Sequence, residues 1–203
     1  MIVIIDYRMG NVGSILNMFK KIGCEAELSE DIETIKKASK LILPGVGSFD
    51  TGMQNINESG LFSVINDKVL QEKTPILGIC LGMQLLAQQS EEGKEKGFGW
   101  IDGEVVKFKF QETDLKIPHM GWNTIDIKKA DPIFNEMPKE TRFYFVHSYH
   151  FVCDEKKNVL ANTNYGYDFE SVIRKDNIWG VQFHPEKSHK FGMQLLKNFT
   201  YSC

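Results

Sequence analysis

Residues 75 to 84 read Pro-Ile-Leu-Gly-Ile-Cys-Leu-Gly-Met-Gln, and this stretch constrains the fold more than any other. An apolar run from Ile76 to Ile79 ends in Cys80, which stands between Gly78 and Gly82, and an amphipathic segment from Met83 to Ala87 follows at once. A strand, a sharp turn bearing a reactive group and then a helix make a nucleophile elbow. The glycines fit that geometry because a strained turn leaves no room for neighbouring β-carbons. Cys80 would then sit at a helix N-terminus, where the dipole favours thiolate over thiol. The backbone N–H of Leu81, next to it, is placed to serve an oxyanion. A lone cysteine is more often a small buried hydrophobe, so the elbow reading requires partners elsewhere in the chain.

The best partner lies near the other end. Ile178 to Phe183 is β-rich and delivers His184; Pro185 cannot donate to a ladder and stops the strand. Glu186 follows two residues after the histidine. A base with a carboxylate close enough to orient it is what a thiol nucleophile needs, and contact with Cys80 must be made by the fold. Alone, His184 reads as a structural histidine and Glu186 as a solvated turn carboxylate. With the elbow cysteine, a Cys80-His184-Glu186 triad explains all three.

Gly78 to Gln84 together with Gly180 to Glu186 resembles the class I (triad) glutamine amidotransferases. Pro118-His119-Met120-Gly121-Trp122-Asn123 and Tyr144 to Tyr149 are similar to the glutaminase subunits of imidazole glycerol phosphate synthases, as are Ile5-Asp6-Tyr7, Gly10-Asn11 and Lys187-Ser188. The resemblance runs along essentially the whole chain. It implies one glutaminase domain over residues 1–203 that hydrolyses L-glutamine to glutamate and ammonia. It also implies a heterodimer with a separate cyclase of (β/α)8 type, which uses the ammonia to make imidazole glycerol phosphate and an aminoimidazole carboxamide ribotide in histidine biosynthesis. Close relatives of that subunit feed synthases that build acetamidino sugars, and Gly97-Phe98-Gly99-Trp100, which stands where smaller aliphatic residues are usual, keeps that partner as the alternative. A non-catalytic binding module on the same scaffold is an alternative of another class, opposed by the complete triad.

The resemblance also distributes roles. Pro44-Gly45-Val46-Gly47-Ser48 lacks the Gly-Lys-Ser/Thr ending of a P-loop; it becomes the second oxyanion loop, with Val46 or Gly47 donating beside Leu81, after a flip that a partner could trigger. Gln84 and Glu92 would help hold the amino-acid head of glutamine, and Gly47 with the backbone of His147, Ser148 and Tyr149 would complete the substrate site. Without the resemblance Gln84 reads equally well as an exposed helix residue. Pro118 to Asn123 becomes a docking segment presenting Met120 and Trp122, with Asn11, Tyr144 near an ammonia exit, and Lys187 at the same interface.

Composition sets the outer bounds. A chain of 203 residues fits one domain and can bury roughly 70% of its unfolded surface. A net charge of −3 argues against nucleic acid or an anionic membrane as partner. Cys24, Cys80, Cys153 and Cys203 form no C-x-x-C pattern, so neither a disulfide framework nor a zinc site is expected, and a reducing cytoplasm is the simplest location. The apolar opening Met1 to Asp6 is too short for a signal segment, and nothing reaches the length of a membrane span. His147 and His150 invite a metal, but on one strand their odd spacing would put them on opposite faces; no metal or cofactor is expected.

Apolar spacing predicts strands at 1–6, 24–28, 41–43 and 76–79, and helices at 11–22, 31–38, 60–71 and from the elbow to about Gln89. Closely spaced strand-like segments follow at 104–110, 123–127, 141–146, 159–165, 170–175 and 178–183. A last helix, 188–199, opens with Ser188 as its N-cap. The fold class is α/β: a mostly parallel sheet flanked by helices, with antiparallel strand additions in the C-terminal half.

Overall fold

The structure, a computed structural model, describes residues 1–111 and 114–203. In chain order the first half contains β1 (Ile2–Ile5), α1 (Val12–Lys21), β2 (Ala26–Ser29), α2 (Ile32–Lys36), β3 (Lys40–Leu43), α3 (Phe49–Glu58), α4 (Leu61–Asn66), β4 (Ile76–Ile79) and α5 (Leu81–Gln84). Next come β5 (Gln89–Ser90), β6 (Gly103–Lys107), β7 (His119–Thr124), β8 (Asp126–Ile127), β9 (Arg142–His147) and β10 (Tyr149–Cys153). The chain closes with β11 (Val159–Tyr165), β12 (Tyr167–Lys175), β13 (Ile178–Val181) and α6 (His189–Ser202).

The main sheet has eight strands in the order β2-β1-β3-β4-β13-β12-β11-β8. Strands β2, β1, β3, β4 and β13 run parallel, and β12, β11 and β8 add antiparallel to one side. This is the expected fold class, and alternation explains its two cores. Val3, Ile5, Leu41, Leu43 and Ile76 face one way, over α2, α3 and α4. Ile2, Ile4, Ile42, Leu77 and Ile79 face the other, onto α1 and α6. Both faces are covered over β1, β3, β4 and β13, so these strands read as continuous apolar runs rather than alternating ones, whereas the edge strand β2, Ala-Glu-Leu-Ser, is only partly buried.

Register places the site. Gly78 pairs with Gly180 and Ile79 with Val181, so Cys80 and Gln182 leave their strands side by side. The Cys80 N–H donates to Val181 O at 2.8 Å, tying the two strand ends together. Leu43 lies opposite Gly78 on the other flank and leads into residues 44–48. Carboxyl ends of parallel strands are where open α/β sheets place ligands.

Several sequence expectations need correction. Helix α5 ends at Gln84 rather than near Gln89, because Gln89 and Ser90 pair with Glu104 and Val105 in a small separate sheet. Helix α3 was not expected: Gly52, Asn55 and Asn57 dilute its pattern, yet Phe49, Met53 and Ile56 keep helical spacing and are buried, and Ser48 caps its start. The expected strand 123–127 is two strands, with β7 beginning at His119 and pairing with β9 throughout. His147 and His150 lie on separate strands, not on two faces of one. Ser188 does not cap α6: its hydroxyl donates to His184 O at 2.6 Å and accepts from Tyr144 N–H at 3.0 Å, bracing the segment that carries the histidine. Phe98 is sandwiched by Phe62 and Trp100 at 5.1 and 4.1 Å between ring centroids, so the unusual Gly97–Trp100 stretch packs in the core. Among the described residues no helix is long and apolar enough to cross a membrane.

Candidate active site

Cys80 occupies φ 54° and ψ −109°, a conformation that costs a non-glycine residue about 1–3 kcal/mol. The surroundings enforce it. A β-carbon on Gly82 would stand 1.8 Å from the Leu43 carbonyl oxygen, and one on Gly78 would stand 2.6 Å from the Gly82 carbonyl oxygen. The strand end, the turn and the neighbouring strand therefore meet backbone to backbone, as the flanking glycines suggested. The four residues of α5 make a small dipole, so the helix contributes less at the sulfur than the sequence suggests.

His184 and Glu186 are both buried, and the imidazole Nδ1 lies 2.7 Å from a Glu186 carboxylate oxygen. Burial by itself pushes the proton affinity of His184 down. The Cys80 sulfur and the Glu186 carboxylate outweigh that and raise its pKa to about 10. The imidazole Nε2 is buried and has no partner that meets hydrogen-bond geometry. The Cys80 sulfur acts on the ring as a hydrogen-bond partner and as a charge, in a geometry looser than a strict hydrogen bond, as is common in resting sites. Two weak contacts hold the sulfur: it lies 3.9 Å from Val146 O and 3.8 Å from Gln182 Nε2.

Cys80, His184 and Val146 line a cavity of about 290 Å³ together with Val46, Gly47, Leu81, Gln84, Glu92, His147, Ser148 and Tyr149. Every residue expected to form the oxyanion hole or to hold substrate is therefore on one wall or another. The volume is near the lower end of the ~300–1,000 Å³ typical of small-molecule sites. Gly47 has φ 114°, a conformation that an L side chain rarely adopts. Gln84 is buried, against the exposed alternative, and both its N–H groups are engaged, with Tyr149 O at 3.0 Å and Gln182 Oε1 at 3.1 Å. Only its amide oxygen remains to face a ligand. Glu92 is half-buried, which raises its pKa, and one of its oxygens accepts the Phe49 N–H at 2.8 Å.

At the β7–β9 ribbon, Val146 and His147 at the end of β9, with Pro118 just before β7, form one side of the cavity. His119, Asn123, Phe143, Phe145 and His147 point inward, whereas Met120 and Trp122 remain 62% and 43% exposed beside Tyr144. Trp122 stacks on His189, and the Lys187 ammonium lies 5.7 Å from the Tyr144 ring. Asn11, at the start of α1, is exposed and makes no side-chain capping bond. The His184 N–H donates to Tyr144 O at 2.9 Å, linking this outer face to His184. The sequence did not mark as site residues Val146 and Pro118, which line the cavity, or Gln182, which touches the Cys80 sulfur from behind it. Gln182 was within the Gly180–Glu186 motif but read as strand interior.

The histidines deeper in the ribbon behave differently. His119, His147 and His150 surround Phe108. Burial lowers the pKa of His119 to about 4 and those of His147 and His150 below the usual histidine value. The unfolded chain takes up these protons near pH 6.5 and the folded one does not, so the unfolded state binds more protons below that value. Their contribution is complete above pH 6.5 and is lost as pH falls toward 4. Below pH 6.5 the raised His184 is protonated in both states and adds no slope, so the urea midpoint should fall steadily from 6.5 to 4; a midpoint flat across that interval contradicts buried neutral histidines. Among the described residues no three His, Cys, Asp or Glu groups converge as metal ligands.

The family model for glutamine amidotransferase class-I matches residues 3–203. The chain belongs to the class I glutamine amidotransferases. Relatives named imidazole glycerol phosphate synthase subunit HisH 2 are 58% identical in Methanococcus maripaludis and 50% identical in Pseudomonas aeruginosa, with 98% of each chain covered in both cases. Among solved structures, PurLQS from Thermotoga maritima superposes with a TM-score of 0.74 at 18% identity, covering 98% of this chain and 96% of that one. A glutamine amidotransferase from the same organism superposes with a TM-score of 0.65 at 16% identity, covering 98% and 81%. At such identities the two structures speak for the class I amidotransferase fold alone.

Proposed function

We propose that this class I amidotransferase is the glutaminase subunit of an imidazole glycerol phosphate synthase. The observation that carries the chemistry is the buried His184–Glu186 pair beside a strained Cys80 in one small cavity. The Cys80 thiolate attacks the side-chain amide carbon of glutamine. The N–H of Leu81, and that of Val46 or Gly47 after the 44–48 loop turns, hold the tetrahedral oxyanion. His184, oriented by Glu186, protonates the departing nitrogen, and ammonia leaves. Water that gives its proton to His184 then hydrolyses the glutamyl thioester to glutamate and regenerates the thiolate. Gln84 Oε1 and Glu92 receive the substrate ammonium.

Free ammonia in neutral water mostly becomes ammonium and loses its nucleophilicity, so it must pass directly to a partner. The exposed face of Met120, Trp122 and Tyr144 beside the cavity, with Lys187 at its edge and Asn11 near the start of α1, is the proposed dock for a (β/α)8 cyclase. Relatives named HisH support the histidine-pathway partner. Phe98 and Trp100 pack in the core rather than on the proposed dock, and it is the HisH-named relatives that do not favour the acetamidino-sugar alternative.

Expression with its cognate cyclase should restore growth without histidine to a strain lacking its own glutaminase subunit; well-expressed protein that fails to do so overturns the assignment. In the purified pair, Trp122→Ala with Met120→Ala should weaken association about tenfold or more, since buried aromatic anchors dominate interfaces. Unchanged affinity by titration calorimetry would place the dock elsewhere.

A further inference from the structure

The Cys80 sulfur has a neighbour that the triad chemistry does not use. Gln182 is fully buried, with its Nε2 3.8 Å from Cys80 Sγ. Its Oε1 accepts from Gln84 Nε2, which settles which end of the amide meets the sulfur: the oxygen turns to Gln84 and the NH2 group to the cysteine. Gln84 is held in turn by the Tyr149 carbonyl, which also receives His147 Nδ1 at 2.7 Å. With that nitrogen donating and the ring neutral, His147 Nε2 is a lone pair, so His119 Nδ1, 3.0 Å away, donates to it. His119 Nε2 then accepts from Asn123 Nδ2 at 3.3 Å. The Asn123 amide is itself oriented by the Thr124 N–H on its oxygen at 2.8 Å and by its own donation to Asn164 O at 2.9 Å. From Asn123 to the sulfur each polar end has one assignment that satisfies its neighbours.

We propose that Gln182 is a further catalytic residue, donating to the Cys80 sulfur, and that Gln84, the Tyr149 carbonyl, His147 and His119 are positioning residues that hold it in that orientation. The two contacts at the sulfur favour opposite protonation states. Val146 O accepts from a thiol, whereas the Gln182 N–H is favourable to a thiolate, and a donor to an anion is the stronger kind of contact. A reversed Gln182 amide would set oxygen against the anion and repel it. His119 and Asn123 belong to the inward face of β7, whose outward face carries Met120 and Trp122. The chain of contacts therefore begins on the strand proposed to dock the partner and ends on the nucleophile. This inference rests on the glutaminase reading for the role of the sulfur, but its test needs no glutamine.

The test is the pH profile of Cys80 alkylation by iodoacetamide, with the Cys80 adduct quantified by mass spectrometry to separate it from the other cysteines. Gln182→Met removes the donor at similar length. Its midpoint should rise by about one pH unit, and its high-pH plateau should rise about threefold, because a more basic thiolate is the better nucleophile. Altered access alone would scale the rate at every pH without moving the midpoint. Should Gln182→Met fail to fold, Gln84→Met, which releases Gln182 without touching the sulfur, should move the midpoint the same way. His119→Leu should produce a smaller shift in the same direction. His119→Asn, whose amide N–H can stand in for Nδ1–H, should restore the native profile. A folded Gln182→Met or Gln84→Met protein that alkylates along the native profile overturns the donor assignment. A native profile in His119→Leu, or no rescue by His119→Asn, overturns its extension to β7. Glutamine turnover by Cys80→Ala is a separate measurement, so failure of the glutaminase reading would be seen independently.

Discussion

Cys80→Ala should lower glutamine hydrolysis by about 10⁴-fold or more while its complex with the cyclase continues to make product from ammonium salts. The size of the effect follows from what the sulfur supplies. Without a covalent acceptor, water must attack the amide directly, and the remaining oxyanion donors recover only part of the barrier. The substitution is otherwise mild. Alanine at the turn meets the same positive φ as cysteine, and the sulfur's partners, Val146 O and Gln182 Nε2, are both long contacts whose loss leaves the strand ends hydrogen-bonded through the Cys80 N–H. Retained ammonia-dependent synthesis separates loss of the nucleophile from loss of the fold or of the partner. Glutamine turnover surviving in Cys80→Ala would place the nucleophile elsewhere. Loss of both activities would instead mean that the elbow supports the dock.

The legible and illegible parts of this chain divide along a physical line. The parallel strands β1, β3 and β4 are covered on both faces, so they stand out as unbroken apolar runs. Strand β13 also shows as a strand, but its expected place among the antiparallel additions is overturned, because it returns parallel beside β4 and brings Val181 next to Ile79, a pairing made by tertiary structure. The Cys80, His184 and Glu186 reading needed only strand ends, glycines and a proline, which act locally. Helix α3 was hidden because its buried residues are thinned by Gly52, Asn55 and Asn57, and because a β-carbon at Gly52 would come within 3.3 Å of the Leu85 side chain, a tertiary reason for glycine there. The short α5 was overextended because Leu85, Leu86 and Ala87 keep a helical pattern while the backbone turns away to let Phe98 N–H and Gly99 N–H reach Leu85 O and Ala87 O. Gln182 and His119 were missed for a related reason. A buried polar group on a strand carries its meaning in its hydrogen-bond partners, and Gln84 and His147 lie far away in sequence.

Gly82→Ala should be the most destabilising single-methyl change at the elbow, lowering stability by about 3 kcal/mol or more. An added β-carbon would lie 1.8 Å from Leu43 O and 2.8 Å from Leu43 C, and both are backbone atoms that cannot swing aside. Relief requires β3 to separate from the turn, yet Leu43 is paired with Gly78 and leads directly into the 44–48 loop. The displacement therefore propagates to Val46 and Gly47 at the cavity wall, and the folded fraction should also lose glutamine hydrolysis. Gly13→Ala supplies the contrast. Gly13 is in α1 with nothing within 4 Å of an added β-carbon, so there alanine should be neutral or stabilising by up to about 1 kcal/mol through helix propensity. Urea unfolding of the two variants decides the matter: a native midpoint for Gly82→Ala would mean that β3 and the turn do not meet backbone to backbone, and the forced conformation of Cys80 would lose its cause.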